Sequence, residues 1–172
     1  MWFNLILVII LIICVITDIK ERKIYNKVLF PSLILTLITH LLLGGWSNLY
    51  TSFMGFFIGL FILIIPYFLG GIGAGDVKLL ALIGALKGPS FVFYTAIYMA
   101  IAGGIIAFIL LLYQKRLHST LTSFLHYFHS LKHGVKIHLP SNNDTLTNTY
   151  PYGIAIAIGA VFALFLEGGI IL

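Results

Sequence analysis

Val28–Gly75 reads VLFPSLILTLITHLLLGGWSNLYTSFMGFFIGLFILIIPYFLGGIGAG, and these 48 residues contain no Asp, Glu, Lys or Arg. As a helix the stretch would be roughly 72 Å long, which is enough to cross a hydrocarbon core of about 30 Å twice. The turn between the two crossings is predicted at Gly44–Asn48, a Gly-Gly-Trp-Ser-Asn sequence. Because two crossings return the chain to its starting side, the segments that flank this stretch should face the same compartment.

The composition of the whole chain agrees with a membrane protein. Of the 172 residues, 60% are hydrophobic and only 9% are charged, and the mean hydropathy is +1.10. Soluble domains carry about 25% charged residues, so the composition excludes a soluble enzyme, a disordered tail and a nucleic-acid-binding module. The net charge of +5 is then explained by basic loops at a membrane surface rather than by nucleic acid as a partner. We expect a single membrane-embedded domain over residues 1–172.

Four other apolar runs add four crossings, so the sequence predicts an all-α integral membrane protein with about six transmembrane helices. The first run, Met1–Thr17, lacks a basic n-region and a cleavage site, and is expected to be a retained helix rather than a signal peptide. Val77–Lys87 is short, about 16 Å as a helix, and Gly88-Pro89 should end it. The remaining crossings are predicted at Ser90–Leu112 and Tyr152–Ile171.

The distribution of positive charge predicts the orientation in the plasma membrane. If the loop after the first helix is cytoplasmic, nine of the ten Lys and Arg residues lie inside and only Lys87 lies outside. Both termini and Lys87 are then outside. The nine cytoplasmic residues are Lys20, Arg22, Lys23, Lys27, Lys78, Lys115, Arg116, Lys132 and Lys136.

The last cytoplasmic loop, residues 113–150, contains apolar residues at steps of three and four, which predict an amphipathic helix on the membrane surface. These residues are Leu117, Leu121, Phe124, Phe128, Leu131 and Val135. Three histidines of the same loop are interpreted as surface residues, because no Cys, Asp or Glu lies near them to complete a metal site; they are His126, His129 and His133. No metal and no cofactor are expected.

Two of the five acidic residues are placed where acids are rare. Asp18 ends the first apolar run, and Asp76 lies in the sequence Gly73-Ala-Gly-Asp-Val-Lys78 between two apolar stretches. An ionisable group within a membrane region costs about 2.5–3.5 kcal/mol, so it is a functional candidate by default. The predicted topology puts both acids on one side. Two carboxyl groups that converge in a low-dielectric site share one proton, and such a pair activates a water molecule without a metal. We assign this chemistry to the pair jointly.

The glycines that precede Asp76 suggest a second role for this segment. Gly70, Gly71, Gly73 and Gly75 leave the backbone without Cβ atoms, so an extended substrate strand is expected to approach there. The alternative interpretation is that the run is only a flexible turn and that Asp18 is only an acid at a helix end.

Three segments resemble the signatures of the type IV prepilin peptidases. The run Asp18-Ile-Lys-Glu-Arg-Lys-Ile-Tyr-Asn26 is similar to their first signature, and Gly73–Lys78 is similar to the G-x-G-D motif that they share with presenilin-like proteases. Pro151–Ile156 resembles the segment that opens their last helix. The resemblance covers essentially the whole chain. It implies that Asp18 and Asp76 are catalytic, and that further motif residues have supporting roles, namely Gly73, Gly75, Lys78, Asn26 and Gly153.

The resemblance also implies the activity. Such enzymes are membrane-embedded aspartic endopeptidases that cut the basic leader from prepilins or pilin-like proteins at the cytoplasmic face, typically after a Gly. Tyr25 stands where the family usually has Pro, which should loosen the loop. Larger members add paired Cys motifs and a methyltransferase activity, whereas this chain has only Cys14, so no methyltransferase activity is expected. The short length resembles the tight-adherence (Flp) prepilin peptidases, and archaeal preflagellin peptidases are similarly short.

Two other functions remain open at this point. An ion-coupled transporter would use the two acids as relay groups, but it should also have polar residues along several helices. Outside the motifs the spans contain few polar groups, and Asn4 and His40 are isolated. A non-catalytic pilus-assembly subunit of the membrane would tolerate Asp18→Asn and Asp76→Asn, whereas the peptidase would not.

Overall fold

The computed structural model describes residues 2–113 and 152–170, and this part of the chain is helical and contains no strand. Five helices follow in chain order: α1 Trp2–Glu21, α2 Asn26–Phe68, α3 Ala74–Lys87, α4 Pro89–Tyr113 and α5 Tyr152–Ile170. The all-α class that the sequence predicts is confirmed for these residues. The predicted amphipathic helix of the last loop and its three histidines lie outside the described residues.

Helix α2 is interrupted at Gly45, whose backbone angles of φ 61° and ψ −152° are not helical. The interruption separates residues 26–44, which we call α2a, from residues 46–68, which we call α2b. Asn26 contacts Lys78 near the start of α3, and His40 contacts Leu86 near its end. The next helix, α2b, returns along α3 in the opposite direction. The turn predicted at Gly44–Asn48 is therefore present, and it rests on a residue whose positive φ favours glycine.

Helices α2b and α3 pack so closely that their backbones are in contact. A Cβ atom on Gly55 would lie 2.0 Å from the carbonyl oxygen of Gly84, and one on Gly59 would lie 2.5 Å from that of Leu80. Small residues at this spacing let two helices approach more closely than side chains otherwise allow. As a result α3 is enclosed, and eight consecutive residues of it are buried, from Leu79 to Leu86.

The C-terminal end of α3 is closed by side chains from both parts of α2. The last carbonyl groups of a helix have no partner within it. Ser52 of α2b donates its hydroxyl to the carbonyl of Ala85 at 2.7 Å, and Nε2 of His40 lies 3.3 Å from the carbonyl oxygen of Leu86. Gly88, at φ 90°, ends the helix, and Pro89 begins α4, as the sequence predicts.

Ser52→Ala should lower the free energy of unfolding by about 1–2 kcal/mol, because it leaves the buried carbonyl of Ala85 without its donor. Thermal unfolding in detergent measures the change. Thr51→Ala is the matched control, since its exposed hydroxyl binds only the carbonyl of Ser47 in its own helix. Equal stability of the two variants would contradict this role of Ser52.

Helix α1 runs antiparallel to α5, and the contacts at their two ends differ in chemistry. At one end, the ammonium group of Lys87 binds the side-chain oxygen of Asn4 at 2.8 Å and the carboxylate of Glu167 at 2.6 Å. At the other end, Asp18 contacts Gly153. The loops that follow α1 and α2 therefore lie at the same end of this helix cluster, opposite Lys87, which agrees with the predicted topology.

Three helices of the described part are long and apolar enough to cross a membrane: Trp2–Glu21, Asn26–Phe68 and Pro89–Ile109. Tyr152–Glu167 is a shorter apolar helix. Their large apolar side chains are widely exposed, as in a membrane protein; Trp46, for example, is 81% exposed. The two parts of α2 lie within one of the three candidates, and α3 has only 14 residues. The count of six crossings stays a prediction.

The chain divides into two compact units, residues 1–103 with 151–172, and residues 104–150. All of the contacts given above belong to the first unit. Of the second unit, the structure describes the last ten residues of α4. The expectation of one functional domain over the whole chain stays a prediction.

Candidate active site

Asp18 lies in the last turn of α1 and is bound by the beginning of α5. It is 7% exposed, and its Oδ2 accepts a hydrogen bond of 2.9 Å from the backbone N–H of Gly153. Gly153 is the second residue of α5, where backbone N–H groups have no partner in their own helix. A Cβ atom at this position would lie 2.6 Å from the same oxygen. The contact therefore depends on glycine.

Asp76 lies in the first turn of α3 and is anchored within that turn. Its Oδ2 accepts a hydrogen bond of 3.2 Å from the backbone N–H of Gly73, the residue that caps the helix. Like Asp18 it is 7% exposed. Its Oδ1 is buried and has no hydrogen-bond partner. A buried carboxyl oxygen without a partner is costly, and it is free to bind a water molecule or a substrate atom.

The structure brings these two carboxyl groups together. Helices α1 and α3 are in contact, and Asp18 and Asp76 are close enough for their charges to interact. The Cys14 thiol, one turn before Asp18 on α1, is buried and interacts with both. The result is a pair of acids of low exposure, each held by one backbone N–H through one oxygen. Such an arrangement can bind a water molecule and pass protons to and from it.

Lys78 and Asn26, which the resemblance marks as supporting residues, bind each other. The ammonium group of Lys78 donates to the side-chain oxygen of Asn26 at 3.0 Å, and it lies 5.6 Å from the centre of the Phe30 ring. This bond connects the first turn of α3, which carries Asp76, with the first residue of α2. The two residues thus link the segment that follows Asp18 to the segment that carries Asp76.

The glycines before Asp76 differ in what they do. Gly70 has a positive φ of 76°, which the turn after α2 requires. Gly73 caps α3 with backbone angles of φ −77° and ψ 150°, a conformation that any residue adopts. A Cβ atom on Gly75 would lie 2.8 Å from the Cβ of Ile24, so the absence of a side chain here lets the loop after α1 pack against α3. Ile24 occupies the space that a side chain at Gly75 would fill, so no substrate strand approaches from that side. The approach of a substrate strand along this run of glycines stays a prediction.

Tyr25, which stands where the family usually has Pro, is held in place. It precedes α2 with φ −80° and ψ 127°, and its hydroxyl donates to the carboxylate of Glu21 in the last turn of α1. The contact ties both ends of the short loop between α1 and α2, and so offsets the looseness that the absence of proline predicts.

Tyr25→Pro should therefore be tolerated. The observed φ is within the range that the proline ring fixes, and proline lowers the entropy of the unfolded chain. We expect a stability within about 1 kcal/mol of the wild type in thermal unfolding, and folded protein in detergent. A loss of more than about 3 kcal/mol would show that the backbone N–H of Tyr25 or its hydroxyl holds this loop.

One neighbour of the acids was not found from the sequence. Cys14 lies four residues before Asp18 and therefore shares its helix face. That spacing was the available signal. Within the described residues, no three His, Cys, Asp or Glu side chains come together as a metal site requires.

Comparison with known proteins gives a match to a protein family. The family model described as the type IV leader peptidase family matches residues 5–108, which is more than half of the chain and includes both Asp18 and Asp76. Gly153 lies outside the matched residues. No curated protein and no solved structure gives a match.

Proposed function

We propose that this chain, which belongs to the type IV leader peptidase family, is a membrane-embedded aspartic endopeptidase that removes the leader peptide from prepilins or pilin-like proteins. The single observation that carries the proposal is the pairing of Asp18 and Asp76. Both are 7% exposed, each is held by a backbone N–H, and their charges interact.

The proposed reaction is direct attack of water on the scissile peptide bond. One carboxylate of the pair takes a proton from the water as its oxygen bonds to the carbonyl carbon, and the protonated carboxyl group donates its proton to the carbonyl oxygen. The tetrahedral intermediate then breaks its C–N bond. The leaving nitrogen receives the proton that came from the water. The new carboxyl group of the cleaved leader returns to the pair the proton that the protonated carboxyl group had donated. Atoms and charge balance without a cofactor.

The charges support a site at the cytoplasmic face of the plasma membrane. Lys20, Arg22, Lys23, Lys27 and Lys78 all lie at or next to the helix ends that carry the two acids, whereas Lys87 lies at the opposite end with Glu167. The positive-inside rule places the first group in the cytoplasm. Prepilin leaders reach the enzyme from that side, so the substrate and the acids meet there.

The segment Pro151–Ile156 supports a peptidase of the tight-adherence type. The partners that this function implies are a pilin-like protein as the substrate and the lipid bilayer around the apolar helices.

Co-expression of the chain with pilin-like proteins from the same genome tests the proposal. We expect the leader to be removed only when the chain is present, with a size shift on immunoblots and a new N-terminus at the end of the leader by mass spectrometry. Proteoliposomes should show no proton flux that depends on Asp18 or Asp76. Intact leaders together with such a flux would overturn the proposal in favour of an ion-coupled transporter.

A further inference from the structure

We infer that the two acids have fixed roles in the resting protein, and that Gly153 assigns them: its backbone N–H holds Asp18 as the ionised base, and Asp76 carries the shared proton. The inference rests on the proposed function for its catalytic meaning. Gly153 is then a positioning residue, because it acts through Asp18 and touches no reacting atom.

The first observation is the position of Asp18 against the beginning of α5. The N–H of Gly153 belongs to the first turn of a 19-residue helix, where unpaired N–H groups and the helix dipole favour a negative charge. The hydrogen bond, at 2.9 Å, comes from a different helix than the one that carries Asp18. The absence of a Cβ atom at Gly153 is what permits this approach, since such an atom would lie 2.6 Å from Oδ2.

The second observation is the unpaired oxygen of Asp76. Asp76 also lies at a helix start, but its bond to Gly73 is longer, at 3.2 Å, and its Oδ1 is buried without a partner. If Asp76 were ionised, this oxygen would bear charge that nothing solvates. A proton on Oδ1 removes that charge and provides a donor for Asp18 or for the carbonyl oxygen of a substrate. The two environments therefore place the negative charge on Asp18.

This assignment fixes the proton path. Asp18 accepts the proton of the attacking water and later gives it to the leaving nitrogen. Asp76 donates its proton to the carbonyl oxygen and recovers it when the C–N bond breaks. Each turnover returns the pair to its starting state, so the roles need not alternate.

Few other groups near Asp18 ionise in the same pH range. The titratable or charged residues that lie at its end of the elements that carry or contact it are Cys14, Lys20, Glu21 and Arg22 on or directly after α1, Asp76 and Lys78 on α3, and Tyr152 at the start of α5. Of these, only Asp76 and the exposed Glu21 are carboxyl groups, and the bands of Glu21 remain in both Asn variants. Thiol, phenol and guanidinium groups ionise well above the usual range of carboxyl groups. The chain contains only five Asp and Glu residues in all, so infrared titration can resolve the pair.

The test replaces the peptide N–H of Gly153 by an ester oxygen, through nonsense suppression in cell-free synthesis, and follows the carboxyl bands of the detergent-solubilised protein against pH. Bands lost in Asp18→Asn and Asp76→Asn identify the pair, which ionises in two steps. We expect the ester to raise the midpoint pH of the lower ionisation step by about one to two units and to leave the midpoint of the upper step unchanged. A raised upper step with an unchanged lower step would reverse the assignment, and no change in either step would remove Gly153 from it.

A second variant guards against misfolding of the ester protein. Gly153→Ala keeps the N–H but pushes the carboxylate away from it, so it should raise the same lower step. Gly103→Ala is the matched control, because its added methyl group meets only the Cβ of Ala155 at 3.7 Å and should move neither step. A shift in Gly103→Ala equal to that in Gly153→Ala would contradict the inference.

The titration needs no substrate, so the two proposals fail separately. If the wild type removes no leader but the ester protein shows the expected shift, the proposed function is overturned and the assignment of charge is supported. If the wild type removes leaders but the ester protein shows the reverse shift, the proposed function is supported and the assignment of charge is overturned.

Discussion

Asp18→Asn and Asp76→Asn should each reduce the rate of leader cleavage by about 10³- to 10⁴-fold. An amide in place of Asp18 cannot take a proton from water, and an amide in place of Asp76 cannot deliver one to the carbonyl oxygen. Because neither residue is needed to bind the rest of the substrate, kcat should fall much more than KM changes. Single-turnover cleavage of a synthetic leader peptide by purified protein measures both effects.

Glu21→Gln is the matched control for these variants. It makes the same chemical change in the last turn of α1, at an exposed residue that contacts Tyr25 rather than the acid pair. We expect activity within about twofold of the wild type, since a surface charge contributes little. Activity in folded Asp18→Asn or Asp76→Asn equal to that of Glu21→Gln would exclude that acid from the reaction.

Gly55→Ala should be strongly destabilising, as should Gly84→Ala, whose Cβ would lie 2.0 Å from the carbonyl oxygen of Gly55. In Gly55→Ala the Cβ would lie 2.0 Å from the carbonyl oxygen of Gly84, so the backbones of α2b and α3 would have to separate. Neither partner is the end of a flexible side chain, and the enclosed α3 leaves little room to move. We expect a loss of at least about 2 kcal/mol in the free energy of unfolding. Unfolding in detergent, followed by loss of helical signal, measures it.

The separation of α2b and α3 should also reduce activity, since α3 carries Asp76 in its first turn. Gly103→Ala is again the control, because alanine favours a helix by up to about 1 kcal/mol over glycine and the added methyl group has ordinary contacts there. If Gly55→Ala were as stable as Gly103→Ala, the close packing of α2b on α3 would be wrong.

Those features that depend on the chain's own local pattern were predicted from the sequence. The charge-free stretch and its Gly-Gly-Trp turn predicted the reversal that the structure has at Gly45. Gly88-Pro89 predicted the end of α3. The even number of crossings between Asp18 and Asp76 predicted that both acids lie at the same end of the helix cluster. Each of these inferences needs only helix length, charge and the conformations of glycine and proline.

Features that depend on which helices face each other were not predicted. The contact of Asp18 with Gly153 joins residues 135 positions apart, and the motif resemblance alone gave Gly153 only a supporting role. The sequence of either helix alone does not show that Gly55 packs against Gly84. Ile24 fills the space beside Gly75. This contact could not be predicted, because a glycine that makes room for a substrate and one that makes room for a neighbouring loop look the same in sequence.

The most direct test of the account is cleavage of a prepilin from the same genome by the purified, detergent-solubilised chain, with mass spectrometry locating the cut. Wild type, Asp18→Asn, Asp76→Asn and Glu21→Gln are compared in one experiment. We expect the wild type and Glu21→Gln to cut at the end of the leader, and both Asn variants to leave the substrate intact. Cleavage by either folded Asn variant at the wild-type rate would contradict the central claim that Asp18 and Asp76 act together in one catalytic site.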